Sequence, residues 1–212
     1  MGAVLRFTDA SFADALQELT RRDLDLRGVV ARWGLPPFWT HPVGFPGLVL
    51  AILAQQVSVE SASAAFEKLR MRLGSVTPEA LLLLDDTRLK AVGFSRQKAG
   101  YVRGLAEAVV DGVLDLGTIE QMADGEARAA LIAIRGIGPW TADTYLLFSL
   151  RRPDVWPSGD LALAKAIQEL RGMVDVPSYP DIDAIAEAWR PWRAVAARIL
   201  WHGYLSERGR GT

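Results

Sequence analysis

The residues whose spacing best suits a chemical role lie in the segment Leu131–Ala142, which is LIAIRGIGPWTA. An amphipathic helical pattern ends there, Gly136 and Gly138 form a tight turn around one apolar residue, and Pro139 begins the next helix. Two glycines let the main chain come close to a ligand, and a helix start points N–H groups outward. Such a helix-hairpin-helix is suited to binding one phosphate of a nucleic-acid backbone, and it needs little net positive charge to do so.

These glycines have two other possible interpretations. A glycine C-cap followed by an ordinary helix is the simpler one. A Rossmann dinucleotide site fits less well, because no strand precedes the glycines and the third glycine is absent. The full string, with Pro-Trp-Thr-Ala after the glycines, is far more restrictive than Gly-x-Gly alone and favours the hairpin.

One carboxylate stands out downstream of the hairpin. Asp160 follows a Pro-Ser-Gly turn and precedes the helical run Leu161–Leu170, so its simplest role is that of an N-cap. A helix N-terminus also favours an ionised carboxylate, and a capping role is therefore compatible with a catalytic one. The only two histidines, His41 and His202, are not placed as a general-acid pair or a metal cluster, and we expect both to be structural.

The elements that must position these residues are predicted to be helices throughout. Apolar residues recur at helical spacing almost everywhere, and the chain is predicted to be all-α, because a strand at MGAVLRF would have no partner. The expected N-caps are Ser58, Thr77, Asp86 and Ser95. Helices are predicted over about 47–55, 58–73, 124–133, 139–150, 160–170, 182–189 and 191–206.

Composition excludes several classes of protein. The 212 residues contain no cysteine, which rules out disulfides, thiolate-bound zinc, an iron–sulfur cluster and a cysteine nucleophile. No apolar run approaches the roughly 18 residues of a membrane span, and the first residues do not resemble a signal peptide. We therefore expect a cytoplasmic protein without a membrane partner.

The net charge of −1, taken alone, argues against nucleic-acid binding. The charges are nevertheless separated: residues 88–103 hold five basic side chains and no acidic one, and residues 107–126 hold six acidic and no basic ones. Such blocks are often only solvated helix faces, but they also allow one face of the molecule to be basic.

The string GIGPWTA, followed by RPDVWPSGDLAL, closely resembles the helix-hairpin-helix base-excision DNA glycosylases, and within them the 3-methyladenine DNA glycosylase II type. The likeness extends from about Phe45, through Ala54–Ser58, to the Arg190–Arg193 region and Trp201, about three quarters of the chain. It implies two helical lobes with the active-site cleft between them. The lobes would be a central one over about 45–150, with the helix-hairpin-helix at 125–150, and a second one formed by the helices at 8–34 and 160–206.

The resemblance also implies roles for individual residues. Asp160 matches the essential aspartate of the family, and Trp140 and Trp201 stand at positions that line the pocket for a flipped base, although core packing is the alternative for any tryptophan. Gln56, with Gln55 beside it, stands where some relatives insert a leucine wedge into DNA; without the family context both would be helix-terminal polar residues. Trp140 also replaces the lysine of bifunctional relatives, so no Schiff base and no strand cleavage are expected.

Binding to the DNA backbone is expected at the hairpin and at nearby basic residues. The candidates are Gly136, Ile137, Gly138 and Thr141 of the hairpin, together with Arg96 and Lys98, for which simple surface exposure is the alternative. The resemblance allows a Na⁺ or K⁺ at the main-chain carbonyls of Ile134 and Gly136, and no other cofactor is expected.

The implied function is that of a monofunctional DNA glycosylase, acting as a monomer on double-stranded DNA and associated with the nucleoid when bound. It would remove alkylated purines of the 3-methyladenine and 7-methylguanine class by base flipping and leave an abasic site. Two alternatives stay open at this point: a glycosylase for a deaminated or oxidised base, and a non-catalytic hairpin module that only binds DNA or a protein.

Overall fold

The computed structural model describes residues 4–209, and every regular element among them is helical. In chain order these are α1 (Asp9–Arg22), α2 (Leu24–Trp33), α3 (Phe45–Leu53), α4 (Val59–Leu73), α5 (Pro78–Leu82), α6 (Asp86–Ala91), α7 (Arg96–Val110), α8 (Leu116–Gln121), α9 (Asp124–Ile132), α10 (Pro139–Phe148), α11 (Leu161–Leu170), α12 (Tyr179–Ala186), a 3₁₀ turn (Glu187–Trp189) and α13 (Arg193–Glu207). The all-α prediction is confirmed. Residues 4–7 of the MGAVLRF segment form no strand, and its first three residues lie outside the described range. Within residues 4–209, no helix combines the length and the apolar character that crossing a bilayer requires.

The chain divides into two compact units. Unit 1 contains His41–Leu150 and therefore α3 to α10, and unit 2 contains Leu5–Thr40 together with the chain from Arg151 onward, and therefore α1, α2 and α11 to α13. Each unit has its own buried apolar residues, and each is described separately below.

The core of unit 1 is built around α3. Every residue of this helix except Pro46 is buried, and α4, α7 and α10 pack against it. A helix that is apolar on all sides is stable only when it is surrounded in this way. The helix begins at Phe45 rather than at the predicted Gly47, because Pro46 fits within the first turn, where its missing N–H has no acceptor to lose.

The predicted N-caps in unit 1 are confirmed with one exception. Ser58, Thr77 and Ser95 are N-caps whose side-chain oxygens accept the main-chain N–H three residues later. Asp86 was wrongly predicted as a cap: it is the first residue of α6, and Asp85 before it accepts the N–H of Arg88 at 2.8 Å. Either of two adjacent aspartates can act as an N-cap as far as the sequence shows. The main-chain conformation decides which one does: Asp85 is extended, and Asp86 is already helical.

The core of unit 2 is built around α13. Residues 194–202 are all buried, and α1, α2 and α11 pack against this helix. The start at Arg193 lies slightly beyond the predicted Pro191. Nearby, the buried Trp189 donates its indole N–H to Asp23 Oδ2 at 2.7 Å, while Asp23 Oδ1 caps α2 at 2.9 Å.

Candidate nucleic-acid interface and active site

The two hairpin glycines of unit 1 have different structural roles. Gly136 has φ +93°, and a Cβ placed on it would lie 2.2 Å from Cγ of the Tyr101 ring, so both its conformation and its surroundings require glycine. Gly138 has φ −86° and caps α10, and a Cβ placed there would meet no neighbour within 4 Å among the described residues. Gly136 therefore packs the turn against α7, and Gly138 is the glycine that faces open space.

The start of α10 has the properties of an anion-binding helix end. Gly138 caps α10 without a side-chain hydrogen bond, and Pro139 occupies the first helical position. The first N–H groups of any helix lack an acceptor within the helix, and the helix dipole makes this end partly positive. This end of α10 can therefore receive one phosphate oxygen through the main chain.

Two of the predicted backbone-binding residues have side chains that point into the protein. Ile137 is 3% exposed, and its N–H donates to Ile134 O at 3.0 Å, so it anchors the turn; its role as a DNA contact stays a prediction. Thr141 is 2% exposed, and its Oγ1 accepts a hydrogen bond from Gln55 Nε2 at 2.9 Å, so its side chain is also internal.

The hairpin carbonyls are already used by protein donors. Ile134 O accepts from Ile137 N, and Gly136 O accepts from Gln55 Nε2 at 2.8 Å. Each of these oxygens thus accepts a hydrogen bond from the protein, and the Na⁺ or K⁺ at Ile134 and Gly136 stays a prediction. Nor does any group of His, Asp and Glu side chains among residues 4–209 have the arrangement of a metal site.

The segment after α3 brings the two predicted wedge residues to different positions. Gln56 is exposed and has φ +56°, which is uncommon for a residue other than glycine. Gln55 is half-buried, and its amide N–H groups donate to Gly136 O and Thr141 Oγ1 of the hairpin. Gln56 is thus exposed, whereas the Gln55 amide N–H groups are engaged at the hairpin, and the wedge role of both residues stays a prediction.

Lys98 is half-buried and hydrogen-bonds the main chain at the end of α3. Its ammonium donates to Leu53 O at 2.6 Å and to Gln55 O at 2.8 Å, at the end of α3, and burial lowers its pKa. Arg103 of the same basic segment donates to Leu84 O and pairs with Asp86. The Lys98 ammonium thus supports the end of α3, and Arg96 lies at the exposed start of α7; the DNA-binding roles of both stay predictions.

In unit 2, Asp160 is the N-cap of α11, as local sequence predicted. Its side chain is buried at 8% exposure, and Oδ1 accepts hydrogen bonds from the N–H of Leu163 at 2.8 Å and from Trp201 Nε1 at 3.3 Å. Both donors stabilise negative charge on the carboxylate. The structure therefore holds one oriented carboxylate beside an indole, at the positive end of a helix.

The two predicted pocket tryptophans differ in their surroundings. Trp201 lies on α13, is 9% exposed and donates to Asp160, so it is both buried and part of the site in unit 2. Trp140 lies in the first turn of α10 in unit 1 and is partly exposed. The histidines are structural as expected: the buried His202 ring bonds Trp33 O at 3.0 Å, and His41 packs on Phe148.

Comparison with known proteins connects these features. The family model described as the HhH-GPD superfamily of base excision DNA repair proteins matches residues 49–191. The match covers the α3 end, the hairpin, Asp160 and the loop before it. This chain belongs to the HhH-GPD superfamily.

Individual HhH-GPD relatives carry more specific names. A putative DNA-3-methyladenine glycosylase, YfjP, of Bacillus subtilis is 36% identical over 124 residues, which are 58% of this chain and 43% of that protein. DNA-3-methyladenine glycosylase 1 of Schizosaccharomyces pombe is 30% identical over 158 residues, which are 73% of this chain and 69% of that protein.

Among solved HhH-GPD structures, the S. pombe 3-methyladenine DNA glycosylase Mag1 in complex with abasic DNA is similar with a TM-score of 0.81 and 27% identity. The match covers 89% of this chain and 95% of that one.

Sequence reasoning missed one residue that organises the loop before Asp160. Asp183 on α12 accepts from Trp156 Nε1 at 3.0 Å and from Ser158 Oγ at 2.7 Å. It thus fixes the Pro-Ser-Gly turn that leads into Asp160. No local pattern marks Asp183, because its partners lie about one loop and one helix earlier in the chain.

Proposed function

We propose that this HhH-GPD protein is a monofunctional DNA glycosylase that binds duplex DNA, flips an alkylated purine and hydrolyses its N-glycosidic bond. The class of base is that of 3-methyladenine and 7-methylguanine, and the product is an abasic site. The names of the B. subtilis and S. pombe relatives support the lesion class, and the abasic-DNA complex of Mag1 supports DNA as the partner.

The observation that carries the proposal is the position of Asp160. Breaking the bond between a purine and its deoxyribose builds positive charge at C1′, as in other glycoside hydrolyses. A buried carboxylate, oriented by the Leu163 N–H and the Trp201 indole, stabilises that charge and orients the attacking water. The water's hydroxyl bonds to C1′, its proton passes to solvent, and the bond electrons leave with the base.

One carboxylate suffices for a purine that is already positively charged. An N-alkylated purine takes up the bond electrons and leaves as a neutral base, so it does not need a second carboxylic acid to protonate it. An electron-poor ring of this kind is bound best by electron-rich aromatic faces, for which Trp201 beside Asp160 is the candidate in unit 2.

The position that would supply a Schiff-base amine holds an indole. Trp140 stands one residue before Thr141-Ala142, in the first turn of α10. An indole cannot form a covalent adduct with C1′, and strand cleavage at this site is therefore not expected.

The test is base release from randomly methylated duplex DNA, with the released bases identified by chromatography. The wild-type protein should release 3-methyladenine and 7-methylguanine and leave the strand intact until alkali is added. Asp160→Asn should lower release by at least about 10³-fold, yet still bind duplexes that contain an abasic analogue. Turnover by this variant would contradict the catalytic role of Asp160, and a borohydride-trapped adduct in the wild type would contradict monofunctional hydrolysis.

A further inference from the structure

Gln56 stands in a conformation that its neighbours must maintain. Its φ of +56° lies in the left-handed region, and it follows directly on the end of α3. For a residue with a Cβ this conformation persists only where surrounding contacts hold the main chain. The contacts that hold it come from two directions.

The first contact fixes the main chain before Gln56. Lys98 of α7 donates from Nζ to Leu53 O and to Gln55 O, which binds the last turn of α3 from the carbonyl side. The carbonyl of Gln55 belongs to the peptide group that leads into Gln56, so this bond acts directly on the orientation of the wedge.

The second contact fixes the side chain of Gln55 to the hairpin. Its Nε2 donates at 2.8 Å to Gly136 O and at 2.9 Å to Thr141 Oγ1, one group on each side of the glycine turn. An amide has two N–H donors, and both are used here. Gln55 therefore links two parts of the chain: the loop that contains Gln56 and the hairpin, where the DNA phosphate is proposed to bind.

We propose that Gln55 is a positioning residue that holds the Gln56 wedge in a fixed place relative to the hairpin. Binding of a DNA phosphate at the hairpin and insertion of Gln56 into the space left by the flipped base then occur together. The proposal rests on the proposed base-flipping function. A wedge on a loose loop would have to be ordered while it enters the base stack, and the cost of that ordering would oppose flipping. A wedge that is already fixed to the hairpin enters the base stack without this cost.

This role predicts an effect only where flipping has to displace a stacked, paired base. Gln55→Met keeps the length of the side chain and removes both donors. It should slow single-turnover release of the methylated base from a fully paired duplex about tenfold. When the same base lies in a bubble of unpaired nucleotides, where little stacking must be broken, the rate should fall less than about twofold.

Three further variants make the comparison specific. Gln56→Ala should show the same preference for the bubble, and the double variant should be no slower than Gln56→Ala, since Gln55 acts through Gln56. Gln97→Met, which removes an exposed amide that donates to the Tyr101 hydroxyl, should leave both rates unchanged. Gln55→Glu, whose carboxylate would face Gly136 O, should reproduce the loss seen with Gln55→Met.

A second measurement does not depend on catalysis. Fluorescence of 2-aminopurine placed beside an abasic analogue reports unstacking, and in the Asp160→Asn background it should rise less when Gln55 is replaced. Equal loss on paired and bubble substrates, or no loss on either, would overturn the role of Gln55. A wild-type protein inactive on both substrates would instead refute the proposed function, which separates the two failures.

Discussion

The hairpin turn of unit 1 and the loop before Asp160 in unit 2 are both short connections rich in glycine and proline, but they are held in place by different means. The hairpin is fixed by neutral groups: Gly136 fits against the Tyr101 ring, and the Gln55 amide binds main-chain and hydroxyl oxygens. The loop before Asp160 is fixed by carboxylates.

Two aspartates determine the path of that loop. Asp154 within it pairs with Arg190 and Arg193, and Asp183 from α12 accepts from Trp156 and Ser158. Buried or half-buried carboxylates with two donors each tolerate little change in geometry. The difference suggests that main-chain shape is critical in the hairpin, whereas side-chain charge is critical in the loop.

The largest effect is expected from adding a methyl group to the hairpin. In Gly136→Ala, the left-handed φ and the approach of Cβ to Tyr101 together should lower the free energy of unfolding by about 3 kcal/mol. Chemical denaturation measures this, and binding to duplex DNA should be lost in parallel because the turn must move.

Gly138→Ala is the matched control, since its φ is ordinary and the space around it is open. Its stability should change by less than about 1 kcal/mol, but its affinity for duplex DNA should fall about tenfold if the phosphate approaches there. Equal destabilisation of the two variants would contradict the distinct roles assigned to the two glycines.

How much the sequence could predict follows from the same contrast. The glycines, Pro139 and the N-cap position of Asp160 act through the main chain, and main-chain requirements restrict residue types locally, so the all-α fold, the hairpin and Asp160 were recognisable. Gln55, Lys98 and Asp183 act on groups far away in the chain, and no spacing rule identifies such partners. For that reason Lys98 was predicted to bind phosphate, and Asp183 was not singled out.

An intermediate effect on base release is expected from neutralising Asp183, the carboxylate that holds the loop before Asp160. Asp183→Asn leaves one of the two donors, Trp156 Nε1 or Ser158 Oγ, facing an amide NH₂ instead of an acceptor. The turn before Asp160 should loosen, and kcat for base release should fall about tenfold while KM for DNA stays unchanged, because misplaced catalytic groups lose rate before binding.

Asp181→Asn is the control for charge and helix. Asp181 lies on the same helix, is exposed and bonds the Ser178 cap rather than the loop. Its kcat should match the wild type. If Asp181→Asn and Asp183→Asn lowered kcat equally, the loss would be due to the charge of α12 and not to the hydrogen bonds of Asp183 with Trp156 and Ser158.

The smallest effect concerns a cation in each unit that donates to main-chain carbonyls, half-buried in unit 1 and fully buried in unit 2. Lys98 in unit 1 and Arg198 in unit 2 both donate to main-chain carbonyls, Arg198 to Ala194 O and Trp39 O at 3.2 Å each. Arg198 is fully buried, and this burial lowers its pKa from its ordinary value to about 9. The hold on Trp39 therefore depends on a guanidinium that loses its proton far more easily than usual.

The sign of the resulting pH dependence follows from proton counting. Above pH 9 the unfolded chain keeps the Arg198 proton while the folded protein releases it, so the unfolded state binds more protons and this residue's contribution to stability rises with pH. Between pH 8 and pH 10, the free energy of unfolding of the wild type relative to Arg198→Met should increase by about 1 kcal/mol. Arg208→Met is the control, because the pKa of Arg208 is raised by Glu169 and this residue stays protonated in both states. Denaturation curves of wild type and Arg198→Met that keep a constant difference over this range would show that the Arg198 guanidinium keeps its proton, as Arg208 does.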